Sequence, residues 1–212
     1  MKAQEYINEN YSQVMRKYVK ELNIVGKNLE RTLDLSDFID LEKLDCSLNK
    51  ITTLILNNNP QLNIIFCQNN QIVNVDFLTQ LSNPHELEKL LIYNNNIQPT
   101  NIEVFSKLSN IKRLKLGTTE DGIKKNKRNK FYGSFESWKG LTKLESICIE
   151  ATDVDQGLEY LPMSLVESTT EEAKNNKKKG GYLNIECSPH GTDAKCKIIQ
   201  DELRPLDYDL GA

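Results

Sequence analysis

The sequence predicts an α/β right-handed solenoid with a short parallel β-sheet on its concave face. Turns and 3₁₀ or short helices form the convex face, and helical caps close the ends. Three observations lead there. The pattern L-x-x-L-x-L-x-x-N-x-L, apolar at positions 1, 4, 6 and 11 with Asn at 9, recurs along the chain. Its copies start at 19, 41, 62, 87, 111 and 144, with spacings of 22, 21, 25, 24 and 33 residues, short enough for one strand and one return. The 212 residues are 38% hydrophobic and 27% charged, a globular composition. No apolar run approaches the ~18 residues that a membrane helix requires.

The elements follow in chain order. Residues 1–18 supply Tyr6, Ile7, Tyr11, Val14, Met15 and Tyr18, enough apolar side chains for a helical cap leading into the array. The array is assigned to 19–170. Val19, Leu22, Ile24 and Leu29 form its first copy, with Lys27 in the Asn place. Three complete copies follow: Leu41, Leu44, Cys46, Asn49 and Ile51; Leu62, Ile65, Cys67, Asn70 and Ile72; Leu87, Leu90, Ile92, Asn95 and Ile97. Thr100-Asn101-Ile102-Glu103 reads as a capping box, and Val104, Phe105 and Leu108 at helical spacing predict a short convex helix. A fifth copy opens with Ile111, Leu114 and Leu116 but decays at Thr119 and Asp121, where an insertion near 117–138 accounts for the longest spacing. The pattern returns with Leu144, Ile147, Ile149 and Val154, and Thr152 stands at the Asn position. A seventh copy could start at Leu165, although Ser168 and Thr170 fill places that should be apolar. Residues 171–181 have no apolar period and read as a flexible loop. Residues 182–212 read as a C-terminal cap and tail: a helix from Thr192 through Leu203, with Ile198, Ile199 and Leu203 on one face, stopped by Pro205.

Asn at position 9 sits where the chain turns into the interior and leaves backbone groups needing partners, which a side-chain amide can supply. Asn49, Asn70 and Asn95 are therefore expected to form a buried structural ladder, with no part in catalysis or ligand binding.

These residues resemble the leucine-rich repeat superfamily, in its short intracellular-type arrays, over Val19 to about Val154. The flanks resemble those of an expanded group of fungal cytoplasmic leucine-rich repeat proteins: Ala3-Gln4-Glu5-Tyr6-Ile7, Phe131-Tyr132-Gly133-Ser134 and Gly157-Leu158-Glu159-Tyr160-Leu161-Pro162. The resemblance implies a recognition module. In such proteins the array stands alone or accompanies a protein kinase, but this chain has no G-x-G-x-x-G loop, H-R-D or D-F-G, so no kinase activity carries over.

Positions 3, 5 and 7 alternate with the buried leucines and project from the concave face. Ile64, Phe66, Leu91 and Tyr93 fall together on two consecutive strands, bordered by Lys43, Lys89, Arg113 and Lys115. An aromatic and aliphatic centre inside a basic rim is the composition of a binding hot spot, and it suits a protein or peptide that is acidic with apolar anchors. The formal net charge of −3, from 27 basic and 30 acidic residues, gives no global pull towards nucleic acid or an anionic membrane. The alternative function, a nuclear or RNA-associated adaptor, rests on the run Lys124-Lys125-Asn126-Lys127-Arg128-Asn129-Lys130, whose more ordinary reading is a solvated loop. Lys174 and Lys177-Lys178-Lys179 read the same way.

No enzymatic role is predicted. Five cysteines are an odd count without the density of a disulfide scaffold, and Cys46 and Cys67 occupy core positions. Cys148 should face the groove, with no nearby His to activate it. Cys187, His190 and Cys196 offer three zinc ligands and no fourth, so no metal or cofactor is expected. His85 and His190 lie outside any G-x-S-x-G or H-E-x-x-H setting. The N-terminus has no apolar core behind Lys2, so a reducing, cytoplasmic location is expected, with the nucleus as the alternative.

Overall fold

The computed structural model describes residues 1–162, Leu165 and the strand Tyr182–Asn184. Among these residues it contains twelve strands: β1 (Glu21–Asn23), β2 (Glu30–Asp34), β3 (Lys43–Asp45), β4 (Lys50–Ile55), β5 (Ile64–Phe66), β6 (Lys89–Leu91), β7 (Thr100–Asn101), β8 (Arg113–Lys115), β9 (Phe131–Ser134), β10 (Ser146–Cys148), β11 (Asp153–Gln156) and β12 (Tyr182–Asn184). Four short helices accompany them: α1 (Ala3–Asn10), α2 (Gln13–Arg16), α3 (Phe77–Gln80) and α4 (Glu120–Lys124).

The main sheet is parallel and seven-stranded, in the order β1-β3-β5-β6-β8-β10-β12. In each of the six predicted units the strand opens at position 3, and the register stacks these residues in one column, from Glu21 against Lys43 to Arg113 against Ser146. The seventh strand pairs Ser146 with Tyr182 and lies inside the segment assigned to the C-terminal cap, so the sheet runs past the boundary set at 170. The loop at 171–181, the helix from Thr192, the Cys187-His190-Cys196 set and the lysines of 174–179 lie outside the described residues.

Alternation decides which side chains go inside. Leu22, Leu44, Ile65, Leu90, Leu114 and Ile147, the central residues of their strands, are all buried, as are the position 1, 6 and 11 residues of the three complete copies. Each such aliphatic side chain contributes about 1.5–3 kcal/mol through burial. At position 8 the chain takes the left-handed conformation at Gly26, Leu48, Asn69, Asn94 and Ala151, with φ between 53° and 65°. Lys27 after Gly26 stays exposed, whereas in the other four units the residue that follows is buried, as Asn49, Asn70, Asn95 and Thr152.

That inward residue closes a repeating network. The Asn49 Oδ1 accepts from the Leu29 N–H at 2.9 Å, while its Nδ2 donates to the Ile24 and Cys46 carbonyls at 2.8 and 3.0 Å. Asn70 accepts from Ile51 and donates to Cys46 and Cys67; Asn95 accepts from Ile72 and donates to Cys67 and Ile92. Each amide thus ties its own position 6 carbonyl to position 6 and position 11 of the preceding unit. The fifth unit does the same with Asn129, which accepts from Ile97 and donates to Ile92 and Leu116. The copy that decays at Thr119 therefore resumes ten residues later, and α4 is the looped-out chain between. Thr119 caps α4, its Oγ1 accepting from the Gly122 N–H, and Asn94 holds Thr119 through both its backbone N–H and its hydroxyl. A Cβ on Gly122 would run into the Asn94 side chain, so glycine is required by close approach.

The convex side changes along the array. In the first units β2 pairs with β4, giving an extended, thin back. Later units return through β7, β9 and β11, each followed by a 3₁₀ turn: Ile102–Phe105, Phe135–Trp138 and Leu158–Tyr160. The short helix expected from the 100–103 capping box is one of these 3₁₀ turns, and its cap is Asn101, whose Oδ1 accepts from the Glu103 N–H at 2.9 Å. Thr100 is instead a strand residue. Phe105, Phe131, Phe135 and Trp138 pack edge-to-face beneath these turns, and the Trp138 Nε1 donates to the Ile102 carbonyl at 2.8 Å.

At the N-terminal end the cap is helical but smaller than expected. Ala3 and Ile7 are buried, and α1 covers the edge of β2, with Lys2 bridging Glu30 and the Gln4 side chain accepting from the Asp34 N–H. The buried Arg16 turns α2 in the opposite sense: its guanidinium donates to Asp37, Asn8 and the Tyr11 carbonyl. Val14, Met15 and Tyr18, expected in the cap, are 71%, 58% and 61% exposed as a result.

Candidate functional site: the concave face

The sheet carries its side chains outward from positions 3 and 5, and position 7 follows immediately after each strand. Ile64, Phe66, Leu91 and Tyr93 are half-buried and adjacent: Ile64 pairs with Lys89 and Phe66 with Leu91 across β5 and β6. Burial pushes the Tyr93 phenol above its ordinary pKa, and Cys148 and Asp45 push it further, so the ring remains a hydrogen-bond donor at neutral pH. Beside Tyr93, the fifth unit has Gly117 at position 7. A Cβ there would run into the Glu150 backbone, so the sixth unit packs directly against it and the Tyr93 ring has no side-chain neighbour at that place. The Gln68 Oε1 in the same column is buried without a hydrogen-bond partner among the described residues.

Charge is distributed unequally on this face. At the N-terminal end Lys43 pairs with Glu21 at 3.1 Å, and Asp45 accepts from the Ser47 N–H and hydroxyl. Further along, Lys89 and Arg113 are directly opposite each other on β6 and β8, and neither has an ion-pair partner among the described residues. Lys115 pairs in register with Leu91. Like charges facing each other across a sheet are unfavourable until a counter-charge arrives. The residues singled out from sequence thus separate: Lys43 is neutralised within the protein, whereas Lys89 and Arg113 retain uncompensated charge beside the apolar quartet.

Cys148 is on the groove side but only 8% exposed, with its thiol 4.0 Å from a Glu150 carboxylate oxygen. His85 lies in the exposed 3₁₀ turn Pro84–Glu86, beside Glu86. Cys46 and Cys67 are fully buried, and desolvation raises both thiols far above their ordinary range. Among the described residues no cluster of three or more His, Cys, Asp or Glu could hold a metal ion, and no helix is long and apolar enough to cross a membrane.

The basic run is anchored at Asn129, while Lys124, Lys125, Asn126, Arg128 and Lys130 are exposed. Lys124 pairs with Glu120 and Lys125 with Asp121, both at 2.7 Å and one helical turn apart. Asn129 is the ladder residue, and burial lowers the pKa of Lys127. The run joins a capped helix to the core, with most of its side chains in solvent.

The parallel sheet, the inward turns at position 8 and the Asn network define a leucine-rich repeat solenoid. No protein-family model matches the chain, and no curated protein does. Solved structures similar to it include the functional domain of InlJ from Listeria monocytogenes, described as including a cysteine ladder, at 18% identity and TM-score 0.49 over 72% of this chain. Internalin C2 from the same organism is similar at 16% identity and TM-score 0.48, over 88% of this chain and 80% of its own. Internalin InlF gives 14% identity and TM-score 0.39, over 88% and 74%. The chain spans 34% of the InlJ domain. The likeness of the flanks to fungal proteins rests on their motifs alone, which fall on structural joints: α1, β9 and the 3₁₀ turn after Gly157. Gly157 has φ 85°, and Gly133 has φ 119° with the Asn101 side chain against its missing Cβ.

Proposed function

We propose that this chain is a non-enzymatic, cytoplasmic protein-interaction module that holds an acidic segment with apolar anchors on its concave face. The observation carrying this reading is the half-buried quartet Ile64, Phe66, Leu91 and Tyr93 beside the uncompensated pair Lys89 and Arg113. Aromatic anchors supply contact area at low side-chain entropy cost, and the basic rim orients an acidic partner. The Gln68 acceptor would gain a donor from the bound segment. Lys43, in register with Ile64, and Lys115, in register with Leu91, border the quartet and act mainly on the association rate. The test is affinity capture of partners with the full chain, identification by mass spectrometry, and titration of the recovered partner against Phe66→Ala. Loss of affinity in a variant that melts like the parent supports the reading; unchanged affinity contradicts it.

A further inference from the structure

The chemistry required of the occupant is present in the same chain. Pro205-Leu206-Asp207-Tyr208-Asp209-Leu210 alternates apolar and acidic residues without a basic one. We propose that this segment docks on the concave face of its own chain, with its apolar residues on the Phe66, Leu91 and Tyr93 surface and its aspartates at Lys89 and Arg113. It acts there as an internal pseudo-ligand that an external partner must displace. The proposal rests on the concave-face reading above, and charge complementarity is what selects this occupant.

Reach is sufficient. β12 ends at Asn184 and lies three strands from β6, about 15 Å at ~4.8 Å per strand. The intervening residues 185–205 can span about 70 Å when extended at ~3.3 Å per residue. Tethering also favours the contact: a segment on the same chain meets the face at a local concentration on the order of millimolar, so one of modest intrinsic affinity would still occupy the face most of the time. An external partner then binds with an apparent affinity reduced by the fraction of chains whose face is open.

Photocrosslinking of the full chain tests this, with benzoylphenylalanine in place of Tyr208, in dilute solution and with mapping by mass spectrometry. The expected product has the mass of one chain and joins position 208 to peptides containing Phe66 or Leu91 and Tyr93. Its yield should fall about fivefold or more in the Lys89→Glu, Arg113→Glu background. Crosslinks that are absent, scattered, or confined to a product of two chains would overturn the proposal. A titration gives the second reading, using a labelled peptide with the sequence of residues 204–212. It should bind the full chain carrying Asp207→Lys and Asp209→Lys about tenfold tighter than the parent, because the parent's own segment competes; equal binding would overturn the proposal. The two readings separate cleanly. If the crosslink fails while Phe66→Ala still abolishes capture of an external partner, only the tail proposal falls. If the crosslink maps to the face while partner capture ignores Phe66, the external-partner reading falls instead.

Discussion

Phe66 and Asn70 are four residues apart in the third unit, yet they belong to opposite sides of it. Phe66 points outward from β5 and keeps part of its ring in water, whereas Asn70 is buried and ties two units together through its amide. The left-handed Asn69 between them reverses the direction of the chain. One short turn therefore separates a position answerable to the fold from one that the fold leaves free. In a solenoid every unit repeats this division, so polar residues at the turn are read as architecture and apolar residues on the strand's outer face as function.

Breaking the inward side should give the largest stability effect. Asn70→Ala leaves the Ile51 N–H without its partner and takes one of two amide donors from each of the Cys46 and Cys67 carbonyls, and should cost about 1–3 kcal/mol in denaturant unfolding. Asn129→Ala should fall in the same range, because the network is the same despite the insertion; a loss confined to α4, seen by hydrogen exchange, would contradict its place in the ladder. Gly122→Ala forces a Cβ against the Asn94 side chain and should cost about 1–3 kcal/mol, read as a lower melting temperature. Phe66→Ala should cost less than about 1 kcal/mol of stability, since its ring fills no internal cavity. The smallest effect is expected at the rim: Lys115→Glu should slow association with an acidic partner and reduce its salt dependence, read by stopped-flow mixing at two ionic strengths.

The outward and inward columns were legible in the sequence because strand alternation leaves no freedom once the repeat start is known; all six strands open where the period places them. Asn129 was missed because the insertion displaced it from its expected spacing. Its signal was nevertheless local: Asn129-x-Phe131 repeats the Asn-x-apolar step of Asn49, Asn70 and Asn95. The convex side was less legible. A capping signal marks where a turn begins, but helix and 3₁₀ differ by one hydrogen-bond step, which tertiary packing against Phe105 and Trp138 decides. Charge compensation was not legible either: Lys43 and Lys89 occupy equivalent positions, and only the pairing of Lys43 with Glu21 on the neighbouring strand distinguishes them.

The central claim is that function resides on the outer face of the sheet, and the most direct measurement is a titration of the captured partner against three proteins: the parent, Phe66→Ala and Glu103→Arg. Glu103 is exposed on the convex side, in the 3₁₀ turn capped by Asn101. The account predicts that Phe66→Ala weakens binding by about 2 kcal/mol, roughly thirtyfold, while Glu103→Arg binds like the parent. Parent-like binding by Phe66→Ala together with loss of binding in Glu103→Arg would contradict it and move the site to the convex face.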